Sequence, residues 1–374
     1  MQLPVTSEWL DDELGTQASA PARTLRSATN RPETVAAALD EILDRGAHHG
    51  EQLGVGYRRL WAELTTATRD GKRLRPALLD AGYRAWGGTD GHVSSVVGAA
   101  IELLHTAFVI HDDVIDGDDR RRGRLNVSGS HAAEARARGV DDSRAQEYGV
   151  TAGILAGDLA LTAALRAVAT CPASTRTVHR LLDLFDGALH ATAAGELADV
   201  RLSLDVDAVS VEETLTMAER KTAVYSFALP LQAAAVLVGR PDSTVDAAGR
   251  VGRLLGTSFQ LVDDLQGVFG DPSETGKSSL SDLRTGKQTS LVVHARTTDS
   301  WPELAPLVGN PTITETEGAR ARALLDAAGS RAFVRNLARR SALDALALSV
   351  SSGMPPPLVS WLRMTSSDLL GRAR

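Results

Sequence analysis

"FVIHDDVIDGDDRRRG", Phe108 to Gly123, carries five aspartates and three arginines in sixteen residues, directly after a run that is otherwise apolar. At roughly 100° per residue, His105, Asp112 and Asp116 fall on one stripe of a helix, with Asp113 to one side. Carboxylates four residues apart stand one above the other. Two ionised acids so close repel unless a cation sits between them. Oxygen ligands on a rigid helix suit Mg²⁺, which keeps several waters and completes its shell with substrate phosphates. A solvated acidic turn at a helix end is the plain alternative, but the preceding residues are too apolar for a surface helix.

A second stretch repeats the pattern. "FQLVDDLQGVFGDPSETGKSSLSDLRTGKQT", Phe259 to Thr289, ends an apolar helix in Asp263 and Asp264, with Gln260 one turn earlier and Lys277 and Lys287 downstream. Acids on two helices, each close to cations, describe a polyphosphate clamped between metal ions and lysines. Two more motifs support this, "GKRLRP" at Gly71–Pro76 and "ERKTAVYSFALPL" at Glu219–Leu231.

Of the 374 residues 43% are hydrophobic and only 4% aromatic, and apolar residues recur at three- and four-residue spacing. Both features predict an all-α body. Residues 1–33, rich in Ser, Thr, Pro and acids, read as a flexible tail, and 34–374 as a single domain. The tail has no apolar run that could act as a secretory signal, and no stretch is expected to span a membrane. Cys171 stands alone, which fits a reducing, cytoplasmic compartment. A net charge of −7 argues against nucleic acid as a partner.

With these motifs in this order, the chain from about Thr34 onward resembles the trans-isoprenyl diphosphate synthases, of the geranylgeranyl or farnesyl type found in actinobacteria. "DDVID" followed by "RRRG" is similar to the family's first aspartate-rich motif, and "FQLVDD" with a downstream "GK" to the second. The resemblance implies an isoprenoid synthase fold, antiparallel helices around a deep central cavity, usually as a homodimer. It implies a prenyl transfer in which isopentenyl diphosphate condenses with an allylic diphosphate (dimethylallyl, geranyl or farnesyl) by ionisation, condensation and proton elimination. The cofactor would be Mg²⁺, with Mn²⁺ as a substitute.

The roles it implies are these. Asp112, Asp113 and Asp116 bind metal bridging the allylic diphosphate, and Asp263 holds the remaining metal. Arg121, Lys221, Thr222, Gln260, Asp264, Lys277 and Lys287 serve that same substrate, Lys221 and Lys277 among the catalytic set. Gly71, Lys72, Arg75, His105 and Arg122 form a metal-free pocket for isopentenyl diphosphate, although a lone histidine on an apolar helix is often a core group. Ala107 and Phe108, just before the first aspartates, set chain length, and a single ring there favours a twenty-carbon over a fifteen-carbon product.

One departure is visible. Where the second motif often reads DDxxD, this chain has Gly267 at the last acid. Two other readings share parts of the pattern: a class I terpene cyclase, whose second motif "DDLQGVFGD" does not fit, and a non-catalytic subunit of a heteromeric synthase, which typically loses its aspartates.

Overall fold

The computed structural model describes residues 32–69, 71–204, 209–270 and 280–372, so most of the expected tail and Lys277 lie outside the described residues. Helices follow in the order α1 (Pro32–Leu53), α2 (Val55–Arg69), α3 (Leu74–Ala85), α4 (Gly91–Ile115), α5 (Val127–Ala137), α6 (Asp142–Ala169), α7 (Thr175–Ser203) and α8 (Val211–Ala218). A π-helix, Glu219–Ala228, leads into α9 (Leu229–Leu237) and α10 (Asp242–Phe269). Then come α11 (Ser281–Thr285), α12 (Ser290–Ala295), α13 (Trp301–Leu304), α14 (Glu315–Ala327), α15 (Ser330–Ser351) and α16 (Pro356–Gly371). Among the described residues the strands are two short ones, β1 (Arg120–Arg121) and β2 (Arg124–Leu125). The class is all-α, as the periodicity predicts.

Two compact units are distinguished, residues 32–186 with Ala233–Pro241, and 187–232 with 242–372. In the first, α4 is the interior helix. Asp90 caps it, its carboxylate accepting from the His92 and Val93 N–H groups at 2.9 and 3.3 Å, and Val97, Ile101, Leu103 and Leu104 are wholly buried. Its main neighbour is α6, which presents a stripe of small residues, Gly149, Ala152, Gly153, Ala156, Gly157 and Ala160, all buried. Small side chains let helix axes approach. A Cβ at Gly157 would overlap the His111 ring, and one at Gly153 the Val114 side chain. The end of α4 that carries Asp112 and Asp113 is thus seated against α6.

In the second unit α10 packs on α15 and on the π-helix. The glycines of "GRVGRLLG" make the second contact: a Cβ at Gly252 would overlap Ala228 backbone, and one at Gly256 would lie 2.6 Å from the Ala223 Cα. The C-terminal half of α10 supplies Leu261, Leu265 and Val268 to a core shared with Leu280, Leu283, Leu291, Leu325 and Val334. That core anchors the chain on both sides of the second aspartate pair.

The expectation that no stretch reaches membrane-spanning length needs correction among the described residues. By length and composition α4 and α6 are both apolar enough to do so, but 78% of the most apolar window of α4 is buried inside the fold, against 44% for α6.

Two helical glycines should respond oppositely to the same change. Gly252→Ala pushes a methyl into backbone and should destabilise the protein by about 1–3 kcal/mol. Gly187→Ala meets nothing within 4 Å and should stabilise it by about 0.5–1 kcal/mol. Thermal unfolding of the two variants beside the parent checks this.

Candidate active site

Helix α4 ends at Ile115 and Asp116 is its C-cap, one residue beyond the helix and exposed. Asp113 is buried, at 3% exposure, and Asp112 half-buried. What permits this is Arg121. Its guanidinium donates to Asp113 Oδ1 from Nε at 2.7 Å and to Asp112 Oδ2 from Nη2 at 3.1 Å. The hairpin explains its position: Arg121 pairs with Arg124 across Arg122 (φ 53°) and Gly123 (φ 76°), the two positive φ values of a tight primed turn. Burial pushes the Asp113 carboxyl above the usual range, and Arg121 opposes that rise. The donors are all carboxylate oxygens gathered at one helix end around a positive charge, a set that fits Mg²⁺.

Further back on α4 the charge reverses. His105 has a pKa well below the ordinary imidazole value, first because it is buried and then because Arg75, Arg121, Arg122 and Arg73 all bear on it. Arg122 Nη2 lies 4.0 Å from where a Cβ on Gly71 would be, and Gly71 itself has φ 135°. The structure therefore brings Gly71, Arg75, His105 and Arg122 into one neighbourhood; Lys72, on the same loop, is exposed. Arg73 was not anticipated. Held at φ 52°, it donates to Glu102 Oε2 at 3.0 Å and to the Thr68 carbonyl at 2.9 Å. Left-handed backbone in a non-glycine residue is costly and clusters at working sites. Glu102, three residues before His105 and hence on its face, was the available signal.

In the second unit Asp264 is buried and Asp263 exposed. Burial pushes Asp264 up to about 7, against the pull of Lys287 and the hydrogen bond from Gln260 Nε2, at 2.9 Å. Burial also works against the Lys287 ammonium, but Asp264, Asp282 and Asp199 outweigh it and raise its pKa. Lys221 and Thr222 sit on the π-helix, a form often found at functional sites. Lys221 Nζ donates to Glu196 Oε1 at 2.9 Å and to Asp199 Oδ2 at 2.7 Å. This approach depends on Gly195, where a Cβ would lie 2.6 Å from the Lys221 Cα. Glu196 and Asp199 were missed in the sequence, although "GELAD" places two acids three residues apart on a helix. Phe108 is half-buried, while Ala107 has no accessible surface.

The arginines about His105 have a measurable consequence. Since its folded pKa lies below the free value of 6.5, the unfolded chain binds more protons there than the native state, and this group makes stability fall as pH drops below about 6.5. An NMR titration should find the imidazole protonating only below the free value. Titration at the free value would mean the arginine charges are not turned towards it.

A family profile described as Polyprenyl synthetase matches residues 60–324, which include both aspartate motifs and the "GKRLRP" loop. The chain is 31% identical over 335 residues to the (2E,6E)-farnesyl diphosphate synthase of Mycobacterium tuberculosis, covering 86% of each chain. It is 33% identical to that organism's geranylgeranyl diphosphate synthase, covering 82% of this chain and 83% of the relative. Among solved structures, a geranylgeranyl pyrophosphate synthase from Corynebacterium glutamicum, complexed with isoprenyl diphosphate and magnesium, superposes with a TM-score of 0.84 at 28% identity, over 91% of this chain and 98% of that one. A match that runs through the acid sites and the arginine loop alike makes this chain a member of the polyprenyl synthetase family.

Proposed function

We propose that the chain is a head-to-tail trans-prenyltransferase that condenses isopentenyl diphosphate with an allylic diphosphate and releases pyrophosphate, its product being geranylgeranyl diphosphate before farnesyl diphosphate. The observation that carries this reading lies on α4. Acids gathered under one guanidinium stand at its end, and two turns earlier, about 10 Å along the axis, a neutral imidazole sits among four arginines. A condensation of two diphosphates calls for both chemistries, one held through a cation and one held directly. The relatives' activities support the assignment.

Asp112, Asp113, Asp116 and Asp263 would hold Mg²⁺, or Mn²⁺ in its place, whose charge stabilises the departing pyrophosphate. Arg121, Lys221, Thr222, Gln260, Asp264, Lys277 and Lys287 receive the allylic diphosphate. Gly71, Lys72, Arg75, His105 and Arg122 hold isopentenyl diphosphate so that its double bond meets the reacting carbon in position. His105, neutral, donates a hydrogen bond there without adding a proton to the reaction. Apolar residues about Phe108 exclude water from the cation. Residues 34–374 act as one catalytic domain, in the cytoplasm, as a homodimer. Tyr148, Ile154 and Leu155, exposed on α6, support the last point. A terpene cyclase, which takes a single diphosphate, has no use for the arginine pocket, and a non-catalytic subunit has no use for the retained acids.

Incubating the purified chain with labelled isopentenyl diphosphate, Mg²⁺ and each allylic primer tests the activity. Chromatography should show a twenty-carbon product, and absence of any elongation would refute the reading. Asp112→Ala should lower kcat by about 10²–10³-fold or more through lost leaving-group stabilisation, with the circular dichroism unchanged. Phe108→Ala should lengthen products by at least one five-carbon unit at similar turnover, whereas an unchanged distribution would place the chain-length limit on another helix.

A further inference from the structure

Arg73 stands at the junction of three helices. It is the N-cap of α3, its carbonyl accepting from the Ala77 N–H at 3.2 Å. Its guanidinium donates from Nη2 to the Thr68 carbonyl, in the last turn of α2, at 2.9 Å, and from Nη1 to Glu102 Oε2 on α4 at 3.0 Å. A carbonyl in the last turn of a helix has no partner within that helix. One planar fork therefore closes α2 and ties it, and the start of α3, to α4.

For stability alone the arrangement is a poor one. Arg73 holds φ 52°, Glu102 is 4% exposed, and its Oε1 is buried with no hydrogen-bond partner among the described residues. A buried ion pair with an oxygen left unmet gains little over apolar side chains of the same volume. What the pair does secure is position. Gly71 and Lys72 precede Arg73, Arg75 follows it in the first turn of α3, and His105 lies one turn beyond Glu102 on the same face of α4. Arg73 is also near enough to His105 for its charge to bear on the imidazole.

We infer that Arg73 and Glu102 are positioning residues for the second substrate: the pair sets residues 71–75 against the His105 face of α4, so that Lys72, Arg75 and His105 meet one diphosphate together. Neither residue is assigned a contact with the substrate. The inference rests on the isopentenyl diphosphate pocket proposed above, and its test separates the two.

The test is calorimetric titration of the full chain and the variants R75A, R73K, E102Q and R73M/E102M, with isopentenyl diphosphate in the absence of Mg²⁺ and with geranyl diphosphate in its presence. Thermal unfolding of each is followed in parallel. R75A, which removes a pocket cation, should weaken isopentenyl diphosphate binding by about 10-fold or more. R73M/E102M should weaken it by about 10-fold through misplacement and leave geranyl diphosphate binding unchanged. It should unfold no lower than the parent, since methionines fill the volume without a buried charge. A merely structural pair would show an affinity loss only alongside a lower midpoint. R73K keeps the charge but loses the fork and should also lose affinity, whereas E102Q, which keeps an oxygen for Nη1, should retain most of it. Parental affinity in R73M/E102M or in R73K, beside a loss in R75A, overturns the positioning role. Parental affinity in R75A overturns the pocket, and this inference with it. Equal losses for the two diphosphates overturn the assignment of the pair to the second substrate.

Discussion

Carboxylates placed at the ends of apolar helices are tolerable only with a cation against them. Asp113 and Asp264 are both nearly without accessible surface, and each has a fixed positive partner, Arg121 in one case and Lys287 in the other. A buried ion left alone costs several kcal/mol, and removing one member of such a pair costs about 3–5 kcal/mol. The hairpin that delivers Arg121 and the turn that delivers Lys287 are therefore as necessary to these acids as the helices that bear them. The charge arrangement chemistry would use is also the one the fold needs in order to hold together.

Close packing puts these groups in place. Small residues along α6 let α4 approach until His111 and Val114 fill the positions of absent side chains at Gly157 and Gly153. Glycines of α10 do the same for the π-helix that carries Lys221 and Thr222, and Gly195 lets α7 come up to the Lys221 backbone. Contacts of this kind leave little freedom in side-chain position, and reactions that depend on alignment need that rigidity. Asp263 and Asp116, by contrast, are exposed.

Charge also divides α4 along its length. Acids dominate one end and arginines surround His105 nearer the middle, with Arg121 contributing to both fields. Two of the residues that frame the arginine region, Arg73 and Arg122, hold left-handed backbone. Such conformations persist only where the surroundings compensate, and for Arg73 the buried Glu102 carboxylate and the Thr68 carbonyl do so.

What could be read from one chain in order was whatever depends on local periodicity and on residue type. Helical spacing of Ala, Leu and Val implied the all-α class, "DDVID", "GKRLRP" and "FQLVDD" marked out Asp112, Asp113, Arg75 and Asp264 as chemical residues, and the helix stripe shared with Asp112 and Asp116 marked out His105. Helix geometry alone puts residues three and four apart on one face, so these groupings need no knowledge of the rest of the molecule. Glu196 and Asp199 meet Lys221 from more than twenty residues away, Glu102 meets Arg73 from twenty-nine, and Asp282 fills the space beside Gly267 from a separate helix. None of these follows from spacing along the chain. Each depends on how closely two backbones approach, which is decided by where a side chain is absent, and the sequence shows a glycine without showing what occupies the room it leaves.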